Sequence, residues 1–188
     1  MIAQILLVLL LAWPVASQKP APAGNQDVTK EFQDRVNDYL DLRKQAQPAA
    51  PRLKDKARPE EIAKYRAVMA AAIAKARSGA KQSDIFSPQI AAHIRAVVRG
   101  HLRGRSGAGA REKAKEGNPE VEGSPEPVVL KVNAIYPGSA PVSSVPPGLL
   151  QKLPELPDDV QYRFVGRHLI LLDATANIII DYMRNVTP

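Results

Sequence analysis

The sequence predicts an α+β fold in three parts: an N-terminal three-helix unit, a disordered charged linker, and a small C-terminal antiparallel β-meander. Three observations predict it. Residues 160–183 break into three short apolar runs separated by two turn signals. Residues 27–103 carry apolar side chains at helical spacing. Residues 104–127 carry almost no apolar side chain. At 188 residues, with 17 prolines and 5% aromatics, the chain has room for two modest cores.

In chain order, residues 5–12 form an apolar run that Pro14 breaks. Val15, Ala16 and Ser17 then set small residues ahead of a cleavage point at Gln18. The expectation is a signal peptide over 1–17 and an exported protein, periplasmic or secreted. The run is shorter than the roughly 20 apolar residues of a spanning helix, and whether it is removed or kept as an anchor stays open. The chain has no Cys, which excludes a fold stapled by disulfides.

Residues 18–26 read as a flexible tether, and a helical domain is expected over 27–103. Asp27 is placed to cap the first helix, whose stripe is Val28, Phe32, Val36, Tyr39 and Leu40; the QPAAP stretch ends it. The second helix starts at Pro59, with Glu60 and Glu61 meeting the positive end of its dipole. It buries Ile62, Tyr65, Met69 and Ile73 and stops near Ser78 and Gly79. For the third, Ser87 caps, Pro88 takes the first position, and Phe86 stands where a hydrophobic staple belongs. Ile90, Ile94, Val97, Val98 and Leu102 form its inward face.

Charge is uneven along the chain. Residues 85–115 hold seven Lys/Arg against one Glu, whereas 116–127 hold four Glu and no base. Residues 128–188 hold five of each sign, so the net +7 belongs to the helical half.

The β-meander domain is expected over 128–188. Gly166 and Arg167 separate its first two strands by two residues, and glycine at the first position suits a type II′ turn. The unbroken apolar run Leu169 to Leu172 marks a central strand covered on both faces. Ile178, Ile180 and Tyr182 alternate with Asp181 in the third. A sheet this small needs cover. A further strand over 128–136 and a helical turn at Pro146 and Pro147, carrying Leu149, Leu150 and Leu153, are the expected sources.

Arg95, Arg99 and Arg103 are spaced by four and form one ridge of the third helix, a candidate contact for an anionic surface such as lipid or cell-wall polymer. Arg105, Arg111, Lys113 and Lys115 follow it. No aromatic residue interleaves with these bases, so a stacking platform for single-stranded nucleic acid is missing, and nucleic acid is not the expected partner. The exposed strand edges are the other candidate contact. His93 and His101 stand eight apart on one helix, about 12 Å along its axis, too far to share an ion. No metal, cofactor-binding or catalytic residue is assigned, since no G-x-S-x-G, P-loop or dinucleotide fingerprint occurs. Asp158 and Asp159 read as turn residues, and Asp181 as a cross-strand partner of Arg163.

Residues 145–183, VPPGLLQKLPELPDDVQYRFVGRHLILLDATANIIIDYM, resemble C-terminal stretches of exported bacterial proteins in which a proline-led leucine segment precedes a hairpin. The stretch is also similar to RcnB-type periplasmic modules, which share the Pro-Pro lead, the glycine turn and the Val/Ile-rich hairpin. The resemblance implies a periplasmic location and a hairpin fold. RcnB-type proteins are associated with nickel and cobalt handling, but this chain has three His and no His-rich segment. The expected role is a non-catalytic envelope binding module. The alternatives are a basic helical unit on anionic lipid or polymer, and a small enzyme or metal-handling factor.

Overall fold

The computed structural model describes residues 24–50 and 56–187. The leader expected over 1–17, and the tether as far as residue 23, lie outside the described residues. No helix among the described residues is long and apolar enough to cross a membrane.

Helix α1 (Asn25–Ala46) starts two residues before the expected cap. Gly24 is its N-cap, and Asp27 sits in the first turn, where its charge meets the dipole without capping. Val28, Phe32, Val36 and Tyr39 are buried, as their spacing predicts, and a 3₁₀ turn at Gln47–Ala49 closes the helix. Helix α2 (Pro59–Ala76) opens with the Glu61 carboxylate accepting from the Arg58 N–H at 2.8 Å. Its buried residues are Met69, Ala70 and Ile73; Tyr65 only borders the core. Helix α3 (Pro88–Leu102) is capped by Ser87, whose Oγ accepts from the Ile90 N–H at 3.4 Å. It buries Ile90, Ala91, Ile94, Val98 and Leu102.

The segment expected to be disordered carries two short helices, α4 (Ala108–Lys115) and α5 (Pro119–Glu122). The reason is tertiary. Asn118, only 2% exposed, accepts from the Gly166 N–H at 2.7 Å and donates to the Gly166 carbonyl at 3.0 Å. One amide thus satisfies both backbone groups of Gly166, the first residue of the hairpin turn, and Ala114 buries beside it.

Helix α6 (Pro147–Leu150) is the expected proline-led turn. Leu149 and Leu153 cover the sheet; Leu150 faces solvent, a correction to the expected trio. Strands β1 (Val160–Val165), β2 (His168–Asp173) and β3 (Ile178–Met183) form an antiparallel meander in that order. Gly166 has φ +55, the left-handed value the two-residue turn demands. The β2–β3 register shifts at Leu171 and Leu172, so Ile180 is an extra residue on β3.

All six β3 residues are buried, where alternation with a polar face was expected. Cover on both faces explains it. Leu169, Leu171, Ile178 and Ile180 pack with the helices. Ile170, Leu172, Ile179 and Tyr182 pack with Val132, Tyr136 and Ala140 from the preceding loop. That loop is not the full strand expected over 128–136. It pairs with β3 through the Asn133 N–H to the Ile179 carbonyl and the Ile179 N–H to the Ala134 carbonyl, both 2.8 Å.

The expectation of two separate cores fails: the three long helices and one face of the sheet share a continuous core. Phe32 of α1 stacks on Phe86 at 6.0 Å and on Tyr162 of β1 at 6.2 Å, joining both halves through one ring. Buried polar groups fix the docking. Asp173, wholly buried, accepts from Tyr39 Oη at 2.6 Å and from the N–H groups of Thr175 and Ala176, and lies 2.8 Å from Arg43 Nε. Arg77 lies over the Tyr39 ring and donates to the Ile180 carbonyl at 3.1 Å.

Candidate anionic-surface site

Helix α3 turns Ile94, Val98 and Leu102 into the core, which sets Arg95 and Arg99, one position further along each time, on its flank. The ridge ends sooner than its spacing predicts. Arg103 is the C-cap residue, with φ −77 and ψ 154, so it has left the helix for extended backbone. The last carbonyl of α3, that of Leu102, is satisfied by the Arg111 guanidinium, which also donates to the Gly104 carbonyl just beyond the helix. Arg111 therefore caps a helix, and Lys113 and Lys115 pair with Glu116 and Glu112.

The fold brings two more arginines to this flank. Arg167, at the tip of the β1–β2 turn, lines a cleft of about 330 Å³ with Arg99, Arg103, Asn185 and Thr187. Arg184 follows β3, and its carbonyl accepts from Arg95 Nη2 at 3.5 Å. The sequence hid both, because the charges of residues 128–188 sum to zero and the two bases lie 17 residues apart. A base at a tight hairpin tip was the available signal, since such a side chain projects beyond the sheet. Among the described residues, Arg95, Arg99, Arg103, Arg167 and Arg184 form no ion pair with a carboxylate.

The hairpin tip is held firmly. Thr187 accepts from Arg167 Nη2 at 3.3 Å, and the Val186 N–H donates to the Arg167 carbonyl at 2.8 Å. Asn185, with a left-handed φ of +53, turns the chain onto the tip. Its N–H donates to Nδ1 of His168 at 3.0 Å, which requires that nitrogen to be unprotonated. Burial lowers the His168 pKa below the ordinary imidazole value; Arg184 and Arg167 add to the lowering, and Glu120 opposes it.

The strand edges offer little. At β3, the loop pairing is continued by Arg77 on the Ile180 carbonyl and Gln82 on the Tyr182 carbonyl. At β1, Ser143 Oγ accepts from the Phe164 N–H at 2.6 Å and donates to its carbonyl at 2.7 Å. Asn118 covers Gly166, and the Val160 N–H donates to Pro157. Among the described residues, Tyr162 is the outward position of β1 left without such a partner.

The two aspartates of the strands are committed to structure. Asp181 does not pair with Arg163. It is wholly buried and accepts from the N–H groups of Ser83, Ile85, Phe86 and Tyr182, tying the α2–α3 loop to β3. Arg163 instead contacts Gln161. Asp159 is more than a turn residue, pairing with Arg43 at 3.0 Å and accepting from Thr175 Oγ1 at 2.6 Å. His93 and His101 lie on α3 and His168 on β2; among the described residues no three His, Cys, Asp or Glu side chains gather as a metal site. Comparison with family models, with curated proteins and with solved structures finds no match.

Proposed function

We propose that this protein is exported to the cell envelope and acts there without catalysis, holding an anionic partner against the arginine flank of α3. The observation that carries the reading is the meeting of Arg99 and Arg103 with Arg167 around one cleft whose lining contains no carboxylate. Guanidinium groups gathered without counter-charge raise the local potential, and their fork geometry matches phosphate and carboxylate. Anionic lipid headgroups and cell-wall polymers are the partners an exported chain meets. The apolar leader and the likeness of residues 145–183 to RcnB-type modules support that compartment. Closure of most strand-edge groups favours the arginine flank over strand addition as the contact.

The test is binding of the chain from Gln18 onward to phosphatidylglycerol vesicles, with and without Arg95→Gln, Arg99→Gln and Arg103→Gln together. The triple variant is expected to bind more weakly at low salt and to show a flatter salt dependence. Unchanged binding removes the reading.

A further inference from the structure

We infer that the arginine flank contains a discrete two-lobed site for a flexible chain bearing phosphoryl groups in series, with Arg167 as the wall shared by both lobes. The inference rests on the anionic-surface reading and adds a location and a ligand class to it.

A second cleft, of about 250 Å³, adjoins the first and is lined by Leu102, Arg111, Lys115, Glu120 and Gly166, among others. Arg167 and Thr187 line both clefts. The hairpin tip therefore forms the partition between two basic hollows, and a ligand spanning them passes over one guanidinium. The second hollow falls short of the usual size of a small-molecule site, about 300–1,000 Å³, and the first only just reaches it, whereas the pair together lies within the range.

The two lobes differ in what they offer. In the first, Arg99 and Arg103 have no carboxylate partner among the described residues, and Asn185 and Thr187 add polar groups. In the second, Arg111 is engaged in capping α3, and Lys115 is held by Glu112 at 2.9 Å in an exposed pair. Exposed pairs of this kind contribute little, being screened by solvent and salt, so Lys115 can exchange Glu112 for a ligand anion without much loss. Glu120 sits in the second lobe and repels a second anion there. The first lobe is thus the stronger anchor, and the second rewards only a ligand already tethered through the first. That asymmetry selects against lone phosphate and for linked phosphoryl groups, because the second contact is made at high effective concentration.

Arg167 suits the bridging role. It is exposed, and among the described residues its guanidinium bonds only the Thr187 carbonyl, at 3.3 and 3.4 Å, which leaves the rest of the group available to a phosphate oxygen.

Calorimetry on the chain from Gln18 onward, at low salt, compares orthophosphate, pyrophosphate and tripolyphosphate. Tripolyphosphate is expected to bind about tenfold more tightly than orthophosphate. Arg167→Gln is expected to remove most of that preference, and Arg99→Gln to weaken all three anions. Lys64→Gln on exposed α2, which changes net charge equally, is expected to leave the preference intact. Thermal unfolding of each variant checks that the fold is kept.

Vesicles separate the two sources of the same chemistry. If the serial phosphates belong to a lipid, diphosphatidylglycerol vesicles bind more tightly than phosphatidylglycerol vesicles of equal charge; if they belong to a soluble polymer, tripolyphosphate competes and the two vesicles bind alike. Equal affinity for all three phosphates, or a preference untouched by Arg167→Gln, overturns the two-lobed site. In that event a loss of vesicle binding in the Arg95, Arg99 and Arg103 variant still leaves the anionic-surface reading standing.

Discussion

Tyr39 Oη donates a hydrogen bond of 2.6 Å to Asp173 Oδ2, joining the middle of α1 to the end of β2 across 134 residues of chain. Burial raises the phenol pKa far above its ordinary value, and the adjacent carboxylate adds to the effect, so the hydroxyl remains a donor. Asp173 is wholly buried, and Tyr39, Arg43 and two backbone N–H groups supply its counterpart charge and donors. A carboxylate held this way is stable in place but intolerant of losing any partner.

Tyr39→Phe is expected to cost about 1.5–3 kcal/mol, the range for a hydrogen bond to a charged group. Asp173→Ala leaves the Arg43 guanidinium without its buried partner and is expected to cost more, about 3–5 kcal/mol. Urea unfolding measures both. Helical and sheet signals are expected to be lost in one transition, since the halves share a core. Two separated transitions in the unsubstituted protein would contradict the shared core.

Asn118→Ala removes the amide that satisfies both backbone groups of Gly166. Residues 108–122 then lose their anchor to the hairpin. Trypsin is expected to cut after Arg111, Lys113 or Lys115 much faster in the variant than in the parent. Equal cutting rates would mean that the short helices are held by other contacts.

Gly166→Ala meets two penalties. The backbone is left-handed at φ +55, and an added Cβ would fall 1.6 Å from Glu120 Oε2. The backbone penalty alone is about 1–2 kcal/mol. Adding Glu120→Ala is expected to recover the steric part and leave the backbone part, measured as a non-additive double-mutant cycle in thermal unfolding.

His168 has a depressed folded pKa, because burial and the nearby Arg184 and Arg167 disfavour the imidazolium. Its contribution to stability is therefore present above the unfolded value of about 6.5 and is lost as the pH falls through the depressed folded value. Protonation also costs the bond from the Asn185 N–H to Nδ1. His168→Gln is expected to flatten stability against pH in this window. An anion beside Arg167 offsets their positive field, so tripolyphosphate is expected to raise the His168 pKa in an NMR titration. An unmoved titration would place the anion elsewhere.

Much of the secondary structure was legible because its signals are local. Ser87 and Pro88 start α3 by cap chemistry, and Gly166, having no Cβ, accepts the positive φ of the turn without strain. The apolar stripes of α1 and α3 report which face is buried. Asp181 was misread because a carboxylate in a strand is locally indistinguishable from an ion-pair partner, and the buried contact of Asp173 with α1 has no local signal at all. Their donors come from Tyr39 and from residues 83–86, far away in sequence. Residues 104–127 were misread for a related reason. Composition reports how much apolar surface a segment can bury, but one asparagine, with Ala114 and Pro119 buried beside it, can anchor a segment that is otherwise polar.

The amino-acid order by itself determined the α+β class, the meander and the Arg95, Arg99 and Arg103 spacing, since periodicity, caps and tight turns act over a few residues. Only the folded chain decided that the helices and the sheet share one interior, and that Arg167 and Arg184 stand beside α3. Those facts depend on which surfaces dock, and docking is governed by apolar area and buried polar pairs contributed from opposite ends of the chain.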